Sequence, residues 1–318
     1  MRAAGGRAST GRLAALDLGT SRTRTLLSGD AVIVDQPSAV LAGMARENPD
    51  GAVSLLADML WPVRHGMVKD GAACSRLARR VLSTRAPYDA WPLERVVLGV
   101  PVTASALDRM VARTAVSTAA GCPVVIVEEP LAAAIGCGLD VTDPRPRLLL
   151  DVGGGIIEAV LIRQGEISDA GAVQATAVPE PDDPAHGAEP AHHDGPAHHD
   201  GPAHHDGPAH HDGPAHYDGS AQHGQQADGD EPAHVRERVT AMVAELLARL
   251  PPHLRRSARE GGLLLTGGGA NRPKLASHLC AELRIAVSTA PEPAHATVRG
   301  LARLCLPSLS ALIAGQMR

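Results

Sequence analysis

The stretch Leu13-Ala-Ala-Leu-Asp17-Leu-Gly19-Thr-Ser-Arg-Thr-Arg-Thr-Leu-Leu-Ser-Gly29-Asp-Ala-Val-Ile33 returns in outline as Leu148-Leu-Leu-Asp151-Val-Gly153-Gly-Gly-Ile-Ile-Glu-Ala-Val-Leu-Ile-Arg-Gln-Gly165-Glu-Ile-Ser168. Each copy has an apolar strand that ends in Asp, a Gly two residues later, a second apolar strand and a Gly-centred turn. An internal echo of this length predicts duplication of one α/β unit.

The rest of the chain falls into place around the two copies. After the first copy, which carries strands over 13–18 and 23–27, the turn at Ser28-Gly29-Asp30 predicts a third strand over 31–34. Apolar periodicity then predicts a helix over 72–82, a strand over 95–100, a helix over 106–119, a strand over 124–127 and a short small-residue helix over 131–138. Beyond the second copy the pattern predicts a helix over 235–250, a strand over 262–266 closed by Gly267, Gly268 and Gly269, a helix over 274–283, a strand over 285–287 and terminal helices. Two related α/β halves that face each other follow from this order. Residues 179–232 stand apart: they repeat Pro-Ala-His-His-Asp-Gly, most cleanly over 190–219, and carry most of the sixteen histidines. Apolar residues larger than Ala almost vanish there, so the segment is predicted to be disordered.

Composition narrows the function classes. The 318 residues carry a net charge of -5, which argues against a basic nucleic-acid surface. Phe is absent, and Trp61, Trp91, Tyr88 and Tyr217 are the only aromatics, so there is no base-stacking platform and the core must be built from Leu, Val, Ile and Ala. Five scattered cysteines without a Cys-x-x-Cys pair read as thiols of a reducing compartment. No apolar run is long enough to span a bilayer and the first residues have no signal-like core, which predicts a cytoplasmic protein.

A strand that ends in Asp-x-Gly, twice, suits polyphosphate chemistry. Glycine lets backbone N–H groups come close to an anion, and two such turns across a cleft can grip a phosphate chain from both sides. An Asp at each strand end stands where a hydrated Mg²⁺ would bridge phosphate oxygens. The Thr266-Gly267-Gly268-Gly269-Ala270 cluster, between a strand and a helix, could back a nucleoside. Alone, each element is ordinary strand-to-turn punctuation; together, two of them in duplicated context, they favour nucleotide binding.

The order of Asp17-Leu-Gly-Thr-Ser-Arg-Thr23, Asp35-Gln-Pro-Ser38, Arg64-His-Gly-Met-Val-Lys-Asp-Gly71, Arg95-Val-Val-Leu-Gly-Val-Pro101, Val127-Glu-Glu-Pro-Leu-Ala-Ala-Ala-Ile-Gly136, Asp151-Val-Gly-Gly-Gly155 and Leu265-Thr-Gly-Gly-Gly-Ala270 resembles that of MreB, the bacterial actin or rod-shape-determining family. The resemblance implies an α/β, actin-like ATPase fold of two duplicated RNase H-like halves around a nucleotide cleft. Residues 1–140 would form subdomain I, residues 141–178 and 233–303 subdomain II, and 304–318 a helix returning to subdomain I. It implies that Asp17 and Asp151 position Mg²⁺ and that Thr20, Ser21, Arg22, Gly153, Gly154 and Gly155 hold the phosphates of ATP. Gly267, Gly268 and Gly269 would lie by the adenosine, and Glu129 would orient the attacking water. The plainer alternative for the pair Glu128-Glu129 is an acidic helix N-terminus favoured by the macrodipole, and the resemblance gives the catalytic role to one of the two only. Implied partners are other MreB-family proteins and cell-wall-synthesis membrane proteins.

The pattern also breaks. The repeat stands where the family has subdomain IIB, which flanks the adenine, and the segment between Leu41 and Trp61 is short for subdomain IB. Arg22 replaces the family's Asn, and Ile156 replaces a Thr after the three glycines. Loss of one hydrogen bond to a charged group costs roughly 1.5–3 kcal/mol. A degenerate member with weak nucleotide binding and weak or lost hydrolysis is therefore expected, with an active filament-forming ATPase as the alternative. Sugar kinases and DnaK-type chaperones share the two-turn scaffold, but the short remainder after Asn271 leaves no room for a peptide-binding domain.

Two further signals are weaker. The loop Ala86-Pro-Tyr-Asp-Ala-Trp-Pro-Leu93 sits where MreB carries a membrane-dipping loop, which makes Tyr88, Trp91 and Leu93 candidates for peripheral membrane contact; Trp91 packed beneath a helix is an equal alternative. The His-His-Asp repeat could bind Zn²⁺ or Ni²⁺, with a flexible spacer as the plainer reading.

Overall fold

Alternation of buried and half-buried residues along Arg22–Leu27 and a fully buried run at the end of Arg12–Leu18 are the marks of an edge-proximal and a central strand. A computed structural model describes residues 12–42, 59–84, 92–175 and 232–306. In chain order the first half comprises β1 (Arg12–Leu18), β2 (Arg22–Leu27), β3 (Val34–Pro37), β4 (Val40–Leu41), β5 (Met59–Leu60), β6 (Val63–Arg64), β7 (Met67–Val68), α1 (Gly71–Ser83), β8 (Leu93–Val100), α2 (Ala106–Ala120), β9 (Val124–Glu128) and α3 (Glu129–Gly136). The second comprises β10 (Arg147–Val152), β11 (Ile156–Arg163), β12 (Glu166–Gln174), α4 (Ala233–Arg249), α5 (Pro252–Gly261), β13 (Leu263–Thr266), α6 (Pro273–Leu283) and β14 (Val287–Thr289). A 3₁₀ turn at Pro293–His295 then leads into α7 (Ala296–Leu304).

The duplication holds at the level of topology. The first sheet has the order β3-β2-β1-β8-β9 and the second β12-β11-β10-β13-β14, each an antiparallel meander extended by two parallel strands. It also holds within the two opening hairpins. Asp17 opposes Arg24 across β1 and β2 as Asp151 opposes Glu158 across β10 and β11. Gly19 donates its N–H to Arg22 O at 3.1 Å, and Gly153 to Ile156 O at 3.0 Å.

The two faces of each sheet serve different cores, as a period of two requires. Ala14, Leu16 and Leu18 pack with α1 and α2, whereas Ala15 between them joins Leu149, Val160, α3 and α7. The outer face of the second sheet packs with α4 to α6 through Leu148, Leu150 and Val152. The shared middle layer is built on α3 and α7, whose residues at the crossing are small. A Cβ on Gly136 would overlap the Ala296 carbonyl, and one on Gly300 the Ala132 carbonyl. Caps set the helix ends: Asp70 accepts the Ala73 N–H, Ser105 and Asp108 form a reciprocal capping box, and Gly121 ends α2 with φ of 67°.

Two local expectations change. The third strand begins at Val34 rather than at residue 31, because Asp35 is drawn to Arg22 and Arg24 on β2, and Pro37 is tolerated at a sheet edge. The helix expected over 235–250 is followed by another, α5, in which Pro252 serves as the opening residue, a position where its missing N–H costs nothing. The expected repeat, most of the short segment between Leu41 and Trp61, Tyr88, Trp91 and the chain after Leu306 lie outside the described residues.

Candidate functional site

The hairpin turns of the two halves meet tip to tip. A Cβ on Gly154 would collide with the Ser21 hydroxyl and one on Gly155 with the Thr20 hydroxyl, so glycine at these positions is required by the opposing turn. The short β6–β7 hairpin reaches the same place: Gly66 donates its N–H to Thr20 Oγ1 at 2.9 Å, and His65 Nδ1 lies 3.1 Å from Gly155 O. Ser38 supports the first turn from behind, with its hydroxyl 2.6 Å from Gly19 O and 2.8 Å from Thr23 Oγ1. The side chains of Ser21 and Thr20 thus lie against the backbone of Gly154 and Gly155 in the opposing turn.

Below the turns lie four carboxylates. Asp17 and Asp151 end their strands, Glu129 opens α3, and Glu158 comes from β11; all four are buried. Burial pushes the Asp17 carboxyl up to about 6 against the pull of Arg24, and the charge of Asp151 adds to the rise. Burial also raises Asp151, opposed by the Thr266 hydroxyl, which donates at 2.9 Å, and by Arg24. Glu129 is pushed well above the ordinary carboxylate range, first by burial and then by the charges of Asp17, Glu158 and Asp151. Its Oε1 is buried without a hydrogen-bond partner. Burial and then Asp151 lift Glu158 to about 8, against the N–H groups of Thr103 and Val102. These shifts make each carboxyl hold its proton more tightly than a free one, Glu129 and Glu158 the most, and to the extent that Glu129 is protonated it cannot take a proton from water.

Cations are few here. Arg24 Nη1 is 3.5 Å from Asp17 Oδ2, and its Nε is 3.1 Å from Asp35 Oδ2. Arg22 places its Nε 2.6 Å from Asp35 Oδ1 and an Nη2 3.2 Å from Asp35 O. The adjacent glutamates part company: Glu128 pairs with Arg109 of α2 at 3.1 Å, and Glu129 faces the carboxylates. Gly99 makes room for it, since a Cβ there would lie 3.0 Å from Glu129 Cγ. Among the described residues, no three or more His, Cys, Asp or Glu side chains are arranged to hold a metal ion. Asp17 and Asp151, assigned to a hydrated Mg²⁺ from sequence, lie close enough for the charge of Asp151 to act on Asp17, and Asp17 is also paired with Arg24 at 3.5 Å.

The third glycine cluster packs on the second hairpin: Gly269 N–H donates to Val152 O at 2.9 Å and Gly267 N–H to Pro293 O at 2.9 Å. Gly268 lies between them, half-buried. Leu93 opens β8 opposite Arg12 and rests half-buried against the first core. The remaining candidates for membrane contact, Tyr88 and Trp91, and the histidines proposed for Zn²⁺ or Ni²⁺ lie outside the described residues. Sequence reading missed Arg24, Glu158, Ser38 and His65; the equal spacing Asp17–Arg24 and Asp151–Glu158 was the available signal.

A family model for MreB/Mbl protein matches residues 12–177 and 233–309, nearly all of the chain outside the repeat. The chain belongs to the MreB/Mbl family. It is 25% identical over 314 residues to the cell shape-determining protein MreB of Escherichia coli (strain K12), with 90% of each chain covered. It is 20% identical over 306 residues to the cell shape-determining protein Mbl of Bacillus subtilis (strain 168), with 87% of this chain and 91% of that one covered. Among solved structures, MreB5 of Spiroplasma citri bound to AMPPNP matches with a TM-score of 0.68 at 17% identity, over 97% of this chain and 99% of that one. The MamK double helical filament matches with a TM-score of 0.63 at 14% identity, over 93% and 99%. These likenesses establish the actin-like fold, in which the MreB/Mbl motifs fall on the paired hairpins, on the α3 opening and on the β13 turn.

Proposed function

We propose that this MreB/Mbl chain is a cytoskeletal protein of cell-shape determination that binds nucleotide in the crevice below the paired turns, hydrolyses it weakly or not at all, and acts mainly through protein contacts. The observation that carries the reading is the electrostatic state of the crevice. Glu129, the residue that in this reading would orient water, is held by burial and neighbouring carboxylates well above the ordinary carboxylate range, and both arginines of the first hairpin are tied to Asp35. Nucleotide binding itself is supported by the paired glycine turns and by relatives of the same fold solved with AMPPNP and with ADP. In this reading the turn residues Thr20, Ser21, Arg22, Gly153, Gly154 and Gly155 contact the phosphates, and Gly267, Gly268 and Gly269 lie by the nucleoside. The contact between Thr20 and Ser21 and the opposing glycines must open as the phosphates enter.

Other MreB-family chains are the first partners to expect, in line with the filament formed by MamK, and cell-wall-synthesis membrane proteins the second. The protein works in the cytoplasm, with any membrane attachment peripheral; among the described residues no helix is long and apolar enough to cross a membrane. An active filament-forming ATPase is the second reading, favoured by the separation of Glu129 from its ion-paired neighbour Glu128. Titration with labelled ATP, together with phosphate release, tests both. Weak binding with negligible release is expected. Micromolar binding with steady turnover would establish the ATPase instead, and Glu129→Ala should then abolish release and leave binding nearly intact.

A further inference from the structure

We infer that Arg24 is the resident counter-cation of the carboxylate crevice: its guanidinium takes the place beside Asp17 and Asp151 that a divalent cation would take in a metal-dependent nucleotide site, and the crevice works without a metal.

The placement follows from the register of the hairpin. Directly opposed residues of an antiparallel pair project from the same face, so the Asp17–Arg24 pairing sends guanidinium and carboxylate to one side of the sheet. The side chain is held there, only 11% exposed, by Asp17 at 3.5 Å and Asp35 at 3.1 Å. Asp35 is itself clamped by Arg22 at 2.6 Å, so the carboxylate that orients Arg24 cannot swing away freely. In the duplicated second half the equivalent position is Glu158, opposite Asp151. The two halves therefore set a guanidinium and a carboxyl group at matched places.

Charge and space argue the same way. Among the described residues, Arg24 is the positive charge acting on both Asp17 and Asp151. A guanidinium does not lose its proton under ordinary conditions, so the charge is permanent. It supplies one positive charge where Mg²⁺ would supply two, and it lowers Asp17 and Asp151 without overcoming the effect of their burial. Among the described residues no three or more His, Cys, Asp or Glu side chains could hold an ion by themselves, and a hydrated Mg²⁺, which needs only one or two carboxylates, would have to displace Arg24 from Asp17. The planar fork also suits phosphate oxygens, so the ligand class is a nucleoside di- or triphosphate free of metal. That last step rests on the nucleotide reading above; the cation assignment does not.

The experiment uses the full chain and Mg²⁺ alone, followed by calorimetry and thermal unfolding, in wild type, Arg24→Gln, Arg24→Lys and Asp17→Asn. Mg²⁺ prefers oxygen ligands to imidazole, and any binding to the aspartates of the repeat is common to all four proteins, so the site sought is the one that depends on Asp17. Wild type is expected to show no Asp17-dependent Mg²⁺ site and no Mg²⁺-dependent rise in melting temperature. Arg24→Gln should gain such a site, at least about tenfold tighter than any in wild type. Arg24→Lys should gain none, because it keeps the charge. A Mg²⁺ site in wild type that disappears in Asp17→Asn overturns the proposal without recourse to any Arg24 variant, and so does an Arg24→Gln protein that folds and gains nothing. In a second arm, labelled ATP is titrated into wild type with Mg²⁺ and with EDTA. Affinities within about threefold of each other are expected, and binding lost in EDTA overturns the metal-free crevice. Absence of binding in both buffers overturns the nucleotide reading and leaves the Mg²⁺ arm to decide the role of Arg24.

Discussion

Glu128 and Glu129 are neighbours in sequence and opposites in environment. The strand alternation that ends β9 aims Glu128 outward to Arg109, and the start of α3 turns Glu129 inward to Asp17, Asp151 and Glu158. Glu158 offers the sharper test of this interior, because its carboxyl moves from 4.5 to about 8. The folded chain holds that proton more tightly than the unfolded one. Its stabilisation is therefore complete below about pH 4.5 and is lost as the pH rises through about 8. The groups that face it are Asp151 and Glu129, which raise the penalty for charge, and the N–H groups of Thr103 and Val102, which reduce it. Glu158→Gln keeps an acceptor for Thr103 and removes the charge. Its melting temperature should exceed that of wild type by several degrees near pH 8.5 and by much less near pH 5. An equal difference at both pH values would show that burial of Glu158 is not the cause.

At the scale of elements, α3 and α7 cross so closely that side chains are excluded on both sides, and this crossing joins the inner faces of the two sheets. Gly300→Ala puts a methyl group into the Ala132 carbonyl, and only a shift of one helix can relieve it. A loss of about 3 kcal/mol or more is expected in urea unfolding. Gly121→Ala is the matched control: its φ of 67° is strained for Ala, but nothing lies within 4 Å of the new methyl, so the cost should stay near 1–2 kcal/mol. Comparable losses in the two variants would mean that the helices are free to move apart. The crossing also shows which parts of the fold were legible in sequence. The hairpins were readable because Asp, Gly and alternation recur locally in both copies, and the α3 segment because its small residues sit together. Arg24 and Glu158 were marked only by their equal spacing from Asp17 and Asp151, since their role depends on which residue lies opposite across a strand pair. β3 was placed too early because the pull of Arg22 and Arg24 on Asp35 is a contact between strands and leaves no mark on the periodicity of 31–34.

For the whole molecule, the question is whether the histidine repeat belongs to the folded body. β12 ends at Gln174 and α4 begins at Ala233, and the MreB/Mbl match stops and resumes at residues 177 and 233. Ala175 and Val235, on either side of the gap, belong to the same buried cluster as Val173 and Val239. The body thus brings both ends of the segment together through its own core, and the segment need contribute nothing to that closure. Shortening a loop whose ends are already fixed changes stability only through its closure entropy, of order 1 kcal/mol for a severalfold change in length, and in the favourable direction. Replacement of residues 179–227 by a short Gly-Ser linker should therefore leave the melting temperature within about 5 °C of wild type, or raise it. It should leave nucleotide affinity unchanged and remove Zn²⁺ and Ni²⁺ capture. A fall of more than about 10 °C would mean that the repeat packs on the body and replaces part of the missing lobe, and the reduced architecture inferred from the sequence would have to be abandoned.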